Sequence, residues 1–389
     1  MKAFLSGSLC ALALVSPALA DDPFTPHLTY NAALISNLSG GTKTGTVGVG
    51  SAHLQLLADG GSLIGADGLS VFFDGLGTHG GTPDALIGDA QGVSNIAAPA
   101  DFKLYEAWVQ FARNGFSVLA GRYDLNSEFY RLSSAQLFLN SSFGIGPEYA
   151  QNGVAGPSIY PDTSLAIRLA YKPADNVVLR LAVIDDRAPD QSGKDGALAI
   201  GEVAWLQRPA NAMPPGESHN RVGRNAGLPA YDNKLAVGGW YDFTGSPDQS
   251  DPSRNRHAAG AYLIFDHMLM AMDGGKLAGF VQSGIADGRA GRFGFYLGAG
   301  LTAVGLIPGR PNDEIGFAVA RAQNGAHYRA LQQTLPGLSV RDAETTVEAT
   351  YLAQINDWLA LQPDLQYVFD PSTTAGHALV FQLEAEVSL

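Results

Sequence analysis

Arg168 and Arg180 each interrupt a run in which alternate residues are apolar, and Glu106 and Glu348 occupy the polar positions of two further runs of the same kind. In LAIRLAYK (165–172) the odd positions hold Leu, Ile, Leu and Tyr, while the even positions hold Ala, Arg, Ala and Lys. In VVLRLAVI (177–184) Val177, Leu179, Leu181 and Val183 share one face, and Arg180 lies on the other. A strand turns successive side chains to opposite faces, so each run has one face for hydrocarbon and one for water. A charge on every such strand is hard to place in a soluble core but ordinary in a water-filled lumen. Aligned across neighbouring strands, the arginines form a basic ladder and the glutamates an acidic one. Opposed ladders orient water and bind hydroxyl groups at a narrow point. The competing reading, ordinary lumen ion pairs far from the narrowest point, stays open for each residue.

The elements that must position these charges recur along the chain. Alternating runs are read at 28–36, 46–57, 69–76, 104–112, 116–123, 164–172, 177–184, 197–206, 233–243, 258–267, 277–286, 292–304, 314–322, 344–355, 358–369 and 377–389. That is about sixteen strands, separated by Gly, Pro, Asn and Asp clusters. Short connections at 113–115, 173–176 and 356–357 alternate with long segments at 77–103, 124–163 and 323–343. An up-and-down barrel predicts that alternation. One segment breaks it: 207–232, rich in Pro and Gly, falls where a short turn belongs. In the last run Leu379, Phe381, Leu383, Ala385 and Val387 oppose Gln382, Glu384 and Glu386. The fold class this implies is all-β: a transmembrane antiparallel barrel with long extracellular loops, one of them folded inwards as a constriction.

The N-terminus carries Lys2, an apolar stretch at 9–15, Pro17 and Ala18-Leu19-Ala20, which reads as a secretory signal peptide over 1–20 ahead of a single domain at 21–389. The apolar stretch is too short to span a bilayer, and no later stretch of about 20 apolar residues follows. Cys10, the one cysteine, lies within that segment, which leaves no disulfide framework. A formal charge of −13 disfavours nucleic acid as a partner. Forty-seven glycines with 16% charged residues fit many short strands and turns. Competing chemistry is thin. GLGTHG (75–80) matches a dinucleotide fingerprint but precedes no helix pattern. The eight histidines form no HExxH, so no metal is expected, and no GxSxG elbow is present.

Several ordered motifs then carry a resemblance: GRYDLNSEF (121–129), LFLNSSFGIGPEY (137–149), GPSIYP (156–161), SLAIRLAYKP (164–173), GLIPGRPNDEIGFAVA (305–320), ETTVEATY (344–351) and WLALQPDLQYVFDP (358–371). The chain resembles the OprB family of carbohydrate-selective porins. The resemblance implies a sixteen-stranded outer-membrane barrel through which glucose and similar small neutral sugars diffuse passively to the periplasm, with no cofactor and no catalysis. Its surroundings are outer-membrane lipid, and its oligomeric state is left open.

A sugar offers hydroxyls and a weakly apolar ring face, so a selective pore needs charged donors and acceptors beside an aromatic surface. In the long loop, Asp124, Asn126 and Glu128 are candidate acceptors and Arg131 a candidate donor; the alternative for each is a solvated outer loop. Trp108 and Trp240 fall on polar-face parity, where an indole can stack on a sugar ring. Tyr105, Tyr171, Tyr241 and Phe243 are read as interfacial girdle residues. Arg122 has outward parity, and a bulge would be needed to turn it in. Two rivals remain: an outer-membrane barrel enzyme such as a lipid hydrolase, which predicts a Ser–His pair on one rim, and a secreted β-rich binding protein.

Overall fold

A computed structural model describes residues 23–153, 156–185, 196–207, 231–272, 275–336, 341–371 and 376–389. The expected signal peptide and nearly all of the anomalous 207–232 segment lie outside the described residues. Sixteen antiparallel strands follow one another around a closed barrel. They are β1 (Phe24–Gly41), β2 (Gly45–Asp59), β3 (Leu69–Gly80), β4 (Asp101–Arg113), β5 (Phe116–Tyr123), β6 (Ser164–Ala174), β7 (Val177–Asp185) and β8 (Ala197–Gln207). The second half comprises β9 (Asn233–Pro247), β10 (Asn255–Met272), β11 (Gly275–Ala286), β12 (Phe293–Val304), β13 (Glu314–Asn324), β14 (Ala343–Asn356), β15 (Leu359–Phe369) and β16 (Gly376–Ser388). Closure comes from β1 pairing with both β2 and β16. With no edge left, every strand finds backbone partners without water, which is what a bilayer demands.

The alternation read from the sequence sorts the side chains as expected. On β6, Leu165, Ile167, Leu169 and Tyr171 face outwards while Ala166 and Arg168 are enclosed. On β7, Leu179, Leu181 and Val183 face outwards, opposite the buried Val178, Ala182 and Ile184. On β16, Phe381 and Leu383 are exposed and Gln382 and Glu384 buried. The greasy face therefore forms a continuous outer band, and no described helix is long and apolar enough to cross a membrane. The fingerprint-like GLGTHG lies wholly within β3, and nothing longer than the single helical turn Asp84–Ile87 follows it before β4.

The register slips once near the site. Asp74 pairs with Glu106 and Gly75 with Leu104, so Tyr105 is an extra residue in β4. This bulge corrects the girdle assignment of Tyr105: the ring turns into the lumen and is 4% exposed.

Loop 124–163 packs into the lumen. It is built from short 3-10 turns at Leu125–Ser127, Ser134–Leu137 and Ser141–Phe143 and a helical turn at Pro147–Ala150. The Asp124 and Asn140 side chains cap two of these turns by accepting from the Asn126 and Ser142 amides. Phe129, Tyr130, Leu132, Phe143 and Tyr149 are fully buried in one cluster with the wall residues Tyr262, Phe280 and Tyr296. Each such side chain contributes about 1.5–3 kcal/mol relative to exposure.

Polar wall residues then strap the loop main chain. Glu202 accepts from the Tyr130 amide at 3.0 Å, and Asp266 accepts from the Ser134 amide at 3.0 Å and hydroxyl at 2.7 Å. Glu348 accepts from the Leu139 and Asn140 amides at 2.6 and 3.1 Å. Lys234, Gln282 and Gln362 donate to the carbonyls of Arg131, Phe143 and Leu137. A second loop, 81–100, is held likewise, with Glu344 accepting from the Ala90 and Gln91 amides. Buried backbone groups of an irregular loop need such partners, and here the barrel wall supplies them.

Candidate functional site, a throat in the lumen

Loop 124–163 packs against the wall from β6 round to β15, and open space remains beside β1 to β4 and β16. An inner cavity of about 310 Å³ is bounded by Thr29, Asn31 and Glu386, near the end of the barrel where β1 begins and β16 ends. An outer cavity of about 400 Å³ is bounded by Asp84, Asp89 and Gln151 from the loops at the other end. The two share Asn95, Asp124, Asn126, Gly144 and Tyr160, which form the throat between them. Short turns at 114–115, 175–176 and 357–358 lie at that same end, which marks it as the periplasmic side.

Asp124 organises the throat. Its carboxylate accepts from the Tyr105 hydroxyl and from the Asn126 amide, both at 2.8 Å, and its own amide donates to Glu106 at 3.0 Å. Burial pushes the Asp124 carboxyl above its ordinary value, while the Tyr105 hydrogen bond and the Arg131 charge pull it back. Asn126 is fixed by donating to the carbonyls of Phe129 and Gly144, each at 3.1 Å. Arg131 borders the inner cavity on the same loop. Aromatic surface comes from Tyr105 and Tyr160, whose ring centroids lie 6.2 Å apart edge-on, with His53 edge-on to Tyr105 at 5.5 Å. The throat thus sets acceptors, a guanidinium and phenol rings around one aperture.

Of the residues singled out from sequence, Asp124 and Asn126 line both cavities, and Glu106 and Arg131 line the inner one. The other seven line neither. Arg168 faces inwards as parity requires but is 1% exposed: its Nε lies 2.7 Å from Glu128, and its terminal nitrogens donate to Gln110 and Ser117. Arg180 pairs with Glu202 at 3.0 Å. The expected basic ladder therefore stands behind the loop, as does Glu348, which holds loop amides. Trp108 stacks on Phe72 at 5.0 Å and donates to Glu106, while Trp240 stacks on Tyr149 at 4.2 Å. Both indoles are enclosed. Arg122 keeps its outward register, since β4 and β5 pair without a bulge, and donates to the Thr163 carbonyl. Parity specifies a face but not whether loop or water covers it.

The sequence reading missed Tyr105, Tyr160, His53 and Asn95. Tyr160 stood within the GPSIYP motif, and Tyr105 is adjacent to Glu106 in a run whose alternation fails at that step. The rival barrel enzyme predicts a Ser–His contact on a rim, and Ser250 Oγ lies 2.8 Å from His327 Nδ1. Asp248 is 3.7 Å from that same nitrogen and accepts from Ser250 at 2.9 Å. The carboxylate therefore competes for the serine proton instead of orienting the far side of the imidazole, which is not the order of a triad. Ser388 and His27 also meet, at 3.1 Å, where β16 closes on β1.

A closed sixteen-stranded barrel whose lumen is narrowed by an inward loop strapped to its wall is the architecture of a porin. The chain belongs to the OprB family of carbohydrate-selective porins, whose family model matches residues 49–389. Porin B of Pseudomonas aeruginosa is 23% identical over 198 residues, an alignment spanning 46% of this chain and 42% of Porin B. The high-pH structure of Pseudomonas putida OprB superposes with a TM-score of 0.80 at 18% identity, covering 94% of each chain. The outer membrane channel DcaP of Acinetobacter baumannii gives 0.55 at 10% identity, covering 94% of this chain and 96% of that one. At these identities the structural matches establish the fold.

Proposed function

We propose that this barrel is a passive channel through which glucose and similar small neutral sugars diffuse across the outer membrane into the periplasm, after export directed by residues 1–20. The observation that carries this is the throat, where Asp124, Asn126 and Arg131 offer acceptors and donors beside the rings of Tyr105 and Tyr160. A sugar exchanges its hydration for these groups and lays its apolar face on a ring, with no cofactor, energy source or bond-making step. Because loop 124–163 is pinned by wall side chains, the aperture is set by a packed loop rather than a free one.

Liposome swelling tests this directly. Vesicles containing the folded protein should swell rapidly in glucose and progressively more slowly in di- and trisaccharides. Equal rates for all sizes, or no swelling above protein-free vesicles, would defeat the proposal.

A further inference from the structure

The open part of the lumen is unbalanced in charge. The inner cavity is walled by the carboxyl groups of Asp74, Glu106, Asp124, Glu384 and Glu386, against the guanidinium of Arg131 and the imidazole of His53, which lies 2.9 Å from Asp74. The outer cavity adds Asp84 and Asp89 and has no lysine, arginine or histidine among its described lining residues. The wall cations that would offset this, Arg168, Arg180 and Lys234, are enclosed behind loop 124–163 beside Glu128 and Glu202. Two carboxyl groups also have acceptor capacity left over. Asp89 is 8% exposed, and neither of its oxygens accepts a hydrogen bond of good geometry. Asp74 uses Oδ2 for His53 and Gln55, each at 2.9 Å, while its buried Oδ1 accepts none.

Building on the sugar-channel reading, we infer that the path selects by charge among sugars: it takes protonated amino sugars more readily than neutral sugars of the same ring, and resists sugar acids. An ammonium group approaching a carboxylate to about 4 Å gains about fivefold in binding even at the dielectric of bulk water. Apolar barrel walls focus the field within a narrow lumen and add to that gain. An amine also supplies three donors, which suits a lining rich in acceptors. A sugar carboxylate meets the same field with the opposite sign.

The test is block of ion current through the full-length folded protein in planar bilayers at pH 6.5, comparing glucose, glucosamine, N-acetylglucosamine and gluconate. Glucosamine should half-block at about a fivefold lower concentration than glucose or N-acetylglucosamine, and gluconate at a higher one. The gap should shrink as KCl is raised, because salt screens the field. Asp74→Asn and Glu386→Gln, which keep shape and remove charge from the inner-cavity wall, should each narrow the ratio of glucosamine to N-acetylglucosamine block. Glucose block with no advantage for glucosamine would overturn the inference and leave the sugar channel standing, whereas no block by any sugar would sink both. A glucosamine advantage insensitive to salt would equally overturn it, and that measurement needs no variant to fold.

Discussion

Replacing Glu202 by alanine removes the group that joins the barrel wall to loop 124–163 at the root of the throat. Glu202 is 3% exposed and lies 3.0 Å from Arg180 and 3.8 Å from Lys234. It also accepts from the Tyr130 amide at 3.0 Å and the Tyr262 hydroxyl at 2.8 Å. Losing it leaves two enclosed cations without their carboxylate, a change that costs about 3–5 kcal/mol when one partner of a buried pair is deleted. Two buried donors also lose their acceptor, at about 1–3 kcal/mol each. These losses overlap because the groups share one site, so the expected total is about 4 kcal/mol rather than the sum. The assay has two readouts. The temperature at which the unboiled band shifts in SDS gels should fall, and single-channel current should grow noisier, because Tyr130 precedes Arg131 at the edge of the inner cavity. Glu202→Gln, which keeps an acceptor but loses the charge, should fall between. A Glu202→Ala protein with stability within about 1 kcal/mol of the parent and equally quiet channels would refute the strapping argument.

Three further outcomes follow from the throat and its loop. Gly144 has an ordinary helical backbone, and a Cβ there would meet only Ser141 O at 3.4 Å and Asn126 Oδ1 at 3.7 Å. Gly144→Ala should therefore fold normally while Gly144→Trp cuts conductance severalfold; unchanged conductance in the tryptophan variant would place the water path elsewhere. Tyr105→Phe deletes the hydrogen bond to Asp124 and should weaken glucose block by about fivefold, the equivalent of about 1 kcal/mol, whereas unaltered block would remove Tyr105 from the site. Glu148, buried on the loop's helical turn, is pushed up to about 7 by that burial. Its folded form holds the proton more tightly than the unfolded chain does, so the stability it permits is full below about 4.5 and is lost as pH rises through about 7, by up to about 3 kcal/mol. Glu148→Gln should flatten the pH dependence of loop proteolysis between pH 5 and 8, and an identical profile in the variant would contradict this.

The barrel was legible because a period of two is a local property: the faces of Leu165 to Lys172 follow from the chain alone. Depth in the lumen is not local. Arg168 and Arg180 point inwards as their parity demands, yet loop 124–163 folds over them, and their partners Glu128 and Glu202 come from distant positions. Tyr105 shows the other limit, since a single inserted residue at a bulge reverses the face that alternation assigns. The loop acceptors Asp124 and Asn126 were legible because they are polar side chains at the start of the long segment expected to fold into the lumen. Tyr160 was not, because its place at the throat depends on how the far end of that loop returns to the wall.

The central claim is that the aperture bounded by Asp124, Asn126, Gly144 and Tyr160 admits and briefly holds a sugar. Glucose titrated against single-channel ion current tests it most directly. The account predicts saturable, reversible block that weakens in Tyr105→Phe, and a steady open current untouched by glucose would contradict it.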